Sequence, residues 1–389
     1  RVGAFATWHY GYAIMFLAEY AMATKDPSVM PGLERLALDS ARGQSLVGTW
    51  GHRFAMPDGR VGGYGCMNSP GIPLTISMVL AREAGVHNPD LNIAITRSAG
   101  FLRWYVNKGA IPYGDHIPWP GHEDNGKCSM AAILFDLLGD REAATFFTRM
   151  SMAAYDERER GHTGNFFNIL WAMPAVARCG PQSTGAYWRE QAWYYDLARG
   201  WDGSFRYQGS PVGEEEHDKY THWDNTGTYL LTYALPMKSL YITGKKPSAV
   251  QTLTASESEE VITAGRDYFS TRSGLSGREM DRYRYEHRSK KELLAGLSSW
   301  SPAVRKRSAR ELGRRDGDFM PILLKLLKSS NLDSRYGAVE ALGRLTSKTN
   351  EAARVSVLSN ALQADDLWLR ILAAEALSLI HICRCRRRG

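Results

Sequence analysis

The sequence predicts an all-α chain in which an inner and an outer layer of helices are followed by a helical solenoid. Three observations predict it. A small turn built on Gly with Asp, Asn, His or Thr recurs at roughly 40 to 60 residues, each time feeding an apolar helix. Helices apolar on every face alternate with helices charged along one face. A second, shorter repeat then fills the last third of the chain.

The recurring turns are Trp8-His9-Tyr10-Gly11, Tyr64-Gly65-Cys66-Met67-Asn68, Glu123-Asp124-Asn125-Gly126, His162-Thr163-Gly164-Asn165 and Asp224-Asn225-Thr226-Gly227. Tyr12 to Tyr20 reads as helix, and Pro27 cannot continue it. Pro70 to Glu83 pairs with Leu91 to Val106, Cys128 to Leu138 with Arg141 to Tyr155, and Asn165 to Arg178 with Tyr187 to Arg199. Tyr229 to Tyr241 closes the series. Met130-Ala131-Ala132-Ile133-Leu134-Phe135 has no polar face, which marks a buried inner helix. Arg189, Glu190, Asp196 and Arg199 give the later helix a solvent face. Such alternation fits an α/α toroid, with an open array of helical hairpins as the other solution.

Residues 246–270 form a polar Ser/Thr/Glu stretch that reads as a partly helical linker. Beyond it, Arg305-x-x-Ser308-Ala309-x-x-Leu312 matches Arg335-x-x-Ala338-Val339-x-x-Leu342 and Arg370-x-x-Ala373-Ala374-x-x-Leu377. A Leu-rich helix precedes each copy, and Ser301-Pro302, Asn331 to Asp333 and Asp365-Asp366 supply helix-start chemistry. This pattern resembles HEAT repeats. The expected organisation is an N-terminally truncated toroid domain over 1–245, the linker over 246–270 and a C-terminally truncated HEAT module over 271–377. Residues 378–389 resemble a translated sequencing adapter and are set aside from fold reasoning.

The 48 Lys and Arg against 41 Asp and Glu give a net charge of +7, four of these Arg lying in the adapter-like tail. The remaining positive charge sits over 271–376, where 20 Lys and Arg face 13 Asp and Glu. A basic stripe there could meet an anionic partner, but no aromatic interleaving or reader motif points to nucleic acid. Cys66, Cys128 and Cys179 show no C-x-x-C spacing, so neither a disulfide framework nor a zinc ribbon is signalled. No run of 18 apolar residues exists to cross a bilayer.

Trp201-Asp202-Gly203-Ser204-Phe205 is similar to the end of the repeat motif in terpenoid cyclase and prenyltransferase toroids. The set Gly48-Thr49-Trp50-Gly51-His52, Gly63-Tyr64-Gly65, Tyr113-Gly114-Asp115-His116, Asp124-Asn125-Gly126-Lys127 and Gly161-His162-Thr163-Gly164-Asn165 resembles the bacterial DUF6288 family. That resemblance covers about 1–245 and implies a toroid followed by HEAT repeats, in a periplasmic or secreted setting. It transfers no reaction. The toroid half lacks the Asp-x-Asp-Asp and Asp-Asp-x-x-Asp clusters that protonate alkenes or hold diphosphate, which argues against terpene cyclisation and prenylation.

On a toroid, inner-helix starts converge on one rim, so polar residues there are the candidates for chemistry. Asp115, His116, Glu123, Asp124, His162 and Asp224 are the expected acid/base residues, because neighbouring carboxylates and imidazoles tune one another's pKa values. Asn125 and Asn165 would orient a ligand, and Trp50, Tyr113, Trp201 and Trp223 could stack on it. Asp124, Asn125, Thr163, Asp224 and Asn225 are also the residue types that cap helices, the commoner use of such residues. The leading reading is a carbohydrate-active hydrolase or lyase, or a glycan-binding protein, with no cofactor and a HEAT module that docks protein. The alternative is a non-catalytic interaction scaffold. A metal-dependent hydrolase would need at least three of His116, His122, His162, His217, His222 and the nearby acids to meet around one point.

Overall fold

The computed structural model describes residues 6–122, 126–159, 167–208, 224–269, 285–347 and 350–385. Among these residues there are sixteen α-helices and no β-strand, only isolated bridges. No described helix is long and apolar enough to cross a membrane. The chain divides into two compact units, one of residues 1–106 and 110–265, the other of 107–109 and 266–389.

In the first unit, α1 (Ala6–Thr24), α3 (Asn68–Glu83), α5 (Lys127–Leu138) and α7 (Phe167–Val176) pack in succession, and α9 (Thr226–Ala234) packs on α7. Every residue from Asn68 to Ala81 of α3 and from Lys127 to Leu137 of α5 is buried. Helices α2 (Met30–Arg42), α4 (Pro89–Arg103), α6 (Arg141–Ala153) and α8 (Pro181–Ala198) have one buried face. The expected alternation of fully apolar and one-faced helices is therefore present. Helix α2 was not assigned from sequence; its stripe of Leu33, Ala37, Ser40 and Ala41 is short and weakly apolar.

Pro73 lies inside α3 and Pro174 inside α7. In an exposed helix such a residue costs about 3 kcal/mol. Here Ile72, Leu74, Ile76, Met78, Val79 and Leu80 are wholly buried around Pro73. Each contributes roughly 1.5–3 kcal/mol on burial, so packing outweighs the missing backbone bond. Gly126, ahead of α5, has φ +76° and lies so close to Phe167 that a Cβ would meet its Cβ at 2.5 Å. Only glycine satisfies both the left-handed backbone and that approach.

At the C-terminal ends of these buried helices a segment crosses the unit. Glu19 accepts the N–H groups of Tyr241 and Ile242 at 3.1 and 3.0 Å. Arg178 pairs with Asp136 at 2.6 Å and donates to the carbonyls of Pro174, Ile242 and Tyr241. The other oxygen of Asp136 accepts from the Ser248 hydroxyl and the Ala249 N–H. Residues 246–265, which read as a linker, thus belong to the first unit. Part of them forms α10 (Ala255–Phe269).

The second unit holds α11 (Lys290–Gly296), α12 (Pro302–Leu312), α13 (Met320–Leu327), α14 (Leu332–Arg344), α15 (Glu351–Ala361) and α16 (Leu367–Cys385). Helix α12 packs on α14, and α14 on α16, as stacked repeats require. Ser289 and Glu292 form a reciprocal capping box, and Ser301, Asn331 and Asp366 each accept an N–H of their own helix start. In two of the three copies the repeated Arg closes a turn. Arg305 donates to the carbonyls of Ser299 and Trp300, and Arg370 to those of Ala364 and Asp365, closing the turn before each helix. Arg305 also pairs with Asp333 and Tyr336 bonds Asp366, so each repeat is tied to the next. The described part of the adapter-like stretch, 378–385, continues α16.

Candidate functional site

The segments preceding the buried helices of the first unit rest on one another's ends. Thr7, at the start of α1, donates its hydroxyl to the Gly51 carbonyl at 2.7 Å. Asn68, opening α3, donates its amide to the carbonyls of Pro112 and Gly114 at 3.0 and 2.8 Å, and its N–H to Tyr113. These bonds hold the loop carrying Asp115 and His116 against the start of α3.

A row of rings runs along this end. Phe167 stacks on Trp8 with centroids 5.5 Å apart, Trp8 lies 6.3 Å from His52, His52 6.1 Å from Tyr64, and Tyr64 5.9 Å from Tyr113. Phe167 is buried, Trp8, His52 and Tyr113 are half-buried, and Tyr64 is 72% exposed. The Trp8 indole N–H donates to His52 Nδ1 at 2.9 Å, which leaves the proton of a neutral imidazole on Nε2. Burial pulls the His52 pKa down, favouring that neutral form. Burial pushes the half-buried Cys66 thiol up; the Ser45 hydroxyl pulls it partly back, and the Asp115 carboxylate adds to the rise. Cys66 is therefore held as a thiol at neutral pH, not as a nucleophilic thiolate.

A second constellation lies where the 155–159 turn meets α8 and α9. The Glu159 side chain is buried, the residue being 1% exposed. Its Oε2 accepts from the Tyr194 hydroxyl at 2.7 Å and the Gln208 N–H at 2.6 Å. Its Oε1 accepts from the Tyr229 hydroxyl at 3.1 Å and the Asn225 amide at 3.2 Å. Burial drives its pKa up to about 7 against the pull of all four donors. Ile169, Tyr195, Ala198 and Phe205 form the apolar surround, with Phe205 stacked on Tyr229 at 4.7 Å.

Residues 2–244 match the family model described as a domain of unknown function, DUF6288, and residues 291–378 match that of HEAT repeats. The chain belongs to the DUF6288 family. Neither the curated proteins nor the solved structures gave a match.

Within this DUF6288 domain the nominated residues have different surroundings. Asp115 and His116 are exposed, and Tyr113 beside them joins the row of rings. Asp224 is exposed and accepts the Thr226 N–H at 2.9 Å, capping α9; bonds to Thr226 hold its pKa below the usual carboxylate range. Trp50 is wholly buried, and its indole donates to the Ser40 carbonyl at 2.8 Å. Trp201 is 99% exposed at the tip of a turn closed from Gly200 to Ser204. Glu123, Asp124, Asn125, His162, Asn165, Trp223, His217 and His222 lie outside the described residues. Among the described residues no group of three or more His, Cys, Asp or Glu is arranged to hold a metal ion.

Two residues escaped the sequence reading. Glu159 sits in an unbroken run of charged residues, Asp156-Glu157-Arg158-Glu159-Arg160, with no local mark of burial, yet Asp156, Glu157 and Glu159 are all buried. His52 closes Gly48-Thr49-Trp50-Gly51-His52, where nothing local gives it a role. Its proximity to Trp8, 44 residues earlier, is a tertiary fact.

Proposed function

We propose that the DUF6288 domain is an α/α toroid that binds a carbohydrate or similar polar ligand at the rim formed by its inner-helix starts, and that the HEAT module docks a protein partner. One observation carries the reading: the row of rings that leaves the core at Phe167, passes through the exposed Tyr64 and ends at Tyr113, beside Asp115 and His116. Tyrosine and tryptophan rings offer an apolar face with a polar edge, the combination a sugar ring needs. His52, kept neutral with Nε2–H directed by the Trp8 bond, is a donor or acid/base group at the same rim. Asp115 and His116 would supply the second proton-transfer group of a hydrolase or lyase. The proposed reaction class is cleavage of a glycosidic bond, with Asp115 and His116 as the first residues to test.

A panel of oligosaccharides titrated calorimetrically against the full chain tests this. The wild type should bind at least one saccharide, and Tyr64→Ala should weaken it about tenfold, on the order of 1.4 kcal/mol. If none binds, or Tyr64→Ala binds as tightly as wild type, the rim is not the site.

A scaffold reading is favoured by Asp224, whose carboxylate caps its own helix. On that reading the DUF6288 domain would be a rigid body carried by the HEAT repeats, and no substitution at the rim would affect a ligand.

A further inference from the structure

The cluster around Glu159 is not explained by the rim, and its geometry has a chemistry of its own. Four donors converge on one carboxylate, two on each oxygen. They come from three places: Tyr194 from α8, Gln208 from the segment after it, and Asn225 and Tyr229 from the start of α9. A fifth bond, from the Tyr207 hydroxyl to the Glu159 carbonyl at 3.2 Å, holds the backbone at the same point.

The donors are of two kinds, one of each on each oxygen. The Gln208 N–H and the Asn225 amide N–H can only donate. The Tyr194 and Tyr229 hydroxyls can donate or accept. A proton placed on Oε1 can therefore be met by Tyr229 turning to accept, and one placed on Oε2 by Tyr194 doing the same. The ionised carboxylate is met by all four donors, and a proton on the neutral acid by the acceptor capacity of one Tyr hydroxyl.

Among the described residues, the remaining ionisable groups facing it are Arg158 on its own segment, Tyr195 on α8 and Tyr207 beyond it. The Arg158 guanidinium lies over the rings of Trp193 and Tyr194, at 4.7 and 5.4 Å from their centroids, and donates to the Glu190 carbonyl. Burial and the nearby Glu159 charge push Tyr194 and Tyr229 well above the ordinary phenol range, so neither supplies a charge. The ionised form is thus a buried charge held by neutral donors, which is costly compared with the protonated form.

We infer that Glu159 is a proton-linked clasp: a buried carboxyl that takes up and releases one proton within its hydrogen-bond cluster, and so firms or loosens the join of α8 and α9 to the 155–159 turn. The folded carboxyl titrates near 7, against an ordinary value of 4.5. Between these values the folded protein holds a proton that the unfolded chain has lost, so stability falls as pH rises through that window. Mild acid firms the clasp, and mild alkali loosens it.

The test is denaturant unfolding of the full chain across that pH window, wild type against Glu159→Gln. Histidines titrate in the same range, so the readout is the difference between the two proteins, in which shared groups cancel. The expected difference curve shifts with pH and levels off near 7. A difference that stays flat across the window overturns the clasp. Should Glu159→Gln fail to fold, Tyr229→Phe carries the test: removing one donor from the charged form moves the wild-type inflection to higher pH. An inflection left in place overturns the inference equally. Saccharide binding does not enter either readout, so this outcome is separate from the fate of the rim.

Discussion

Asp136 and Glu159 are buried carboxylates of the same helical unit, and they are held in opposite ways. Asp136 has the guanidinium of Arg178 at 2.6 Å, with side chains 5% and 3% exposed, and its second oxygen is bonded by Ser248 and Ala249. Glu159 has four neutral donors and, among the described residues, no paired Lys or Arg. A charge paired inside protein stays a charge; one surrounded only by dipoles is pushed toward its neutral form. The first arrangement is an ion pair that ties α5, the end of α7 and the crossing segment at 241–249. The second is a fastening whose strength depends on protons.

Breaking the buried ion pair should have the largest effect. Arg178→Ala leaves Asp136 buried without its cation and strips three backbone carbonyls of a donor. A loss of about 3–5 kcal/mol is expected in denaturant unfolding. A loss below about 1 kcal/mol would mean that water replaces the guanidinium and the pair is not a fastening.

Next in size is Tyr194→Phe, which sharpens the contrast by being conditional. In mild alkali it removes a donor from a charged oxygen, worth roughly 1.5–3 kcal/mol. In mild acid, with the carboxyl neutral, the same substitution should cost less. Unfolding measured on both sides of the transition checks this, and equal losses on both sides would place Glu159 in one charge state throughout. The smallest effect belongs to the solvent-facing pair Arg42–Asp90, whose side chains are 62% and 48% exposed. Arg42→Ala should leave unfolding unchanged within error, because water already serves both charges. A clear loss there would break the distinction between buried and exposed pairs on which the other two predictions stand.

The helix layers were legible because burial on all faces leaves a compositional mark. Met130 to Phe135 carries no polar face in sequence, and none of it reaches solvent. The solenoid was legible for a related reason: in two of the three copies, at Arg305 and Arg370, the recurring Arg closes the same turn with the same donor. The site was less legible. Asp224 and Asn225 are adjacent, and both are capping types, yet Asp224 caps α9 while Asn225 turns inward to Glu159. Nothing local separates them, since the choice depends on what lies against the helix start. Trp50 and Trp201 were nominated together as stacking surfaces, and one is core while the other stands in solvent.

By itself, then, the sequence determined most of the elements, their alternation and the repeat, because periodicity and capping act over a few residues. Tertiary structure alone decided which charges are buried and what they meet. Glu159 meets Tyr194 from 35 residues away, Gln208 from 49, and Asn225 and Tyr229 from 66 and 70. A carboxylate's pKa responds to the donors, cations and water within a few ångströms of it. That neighbourhood is assembled by packing, and no spacing along the chain encodes it.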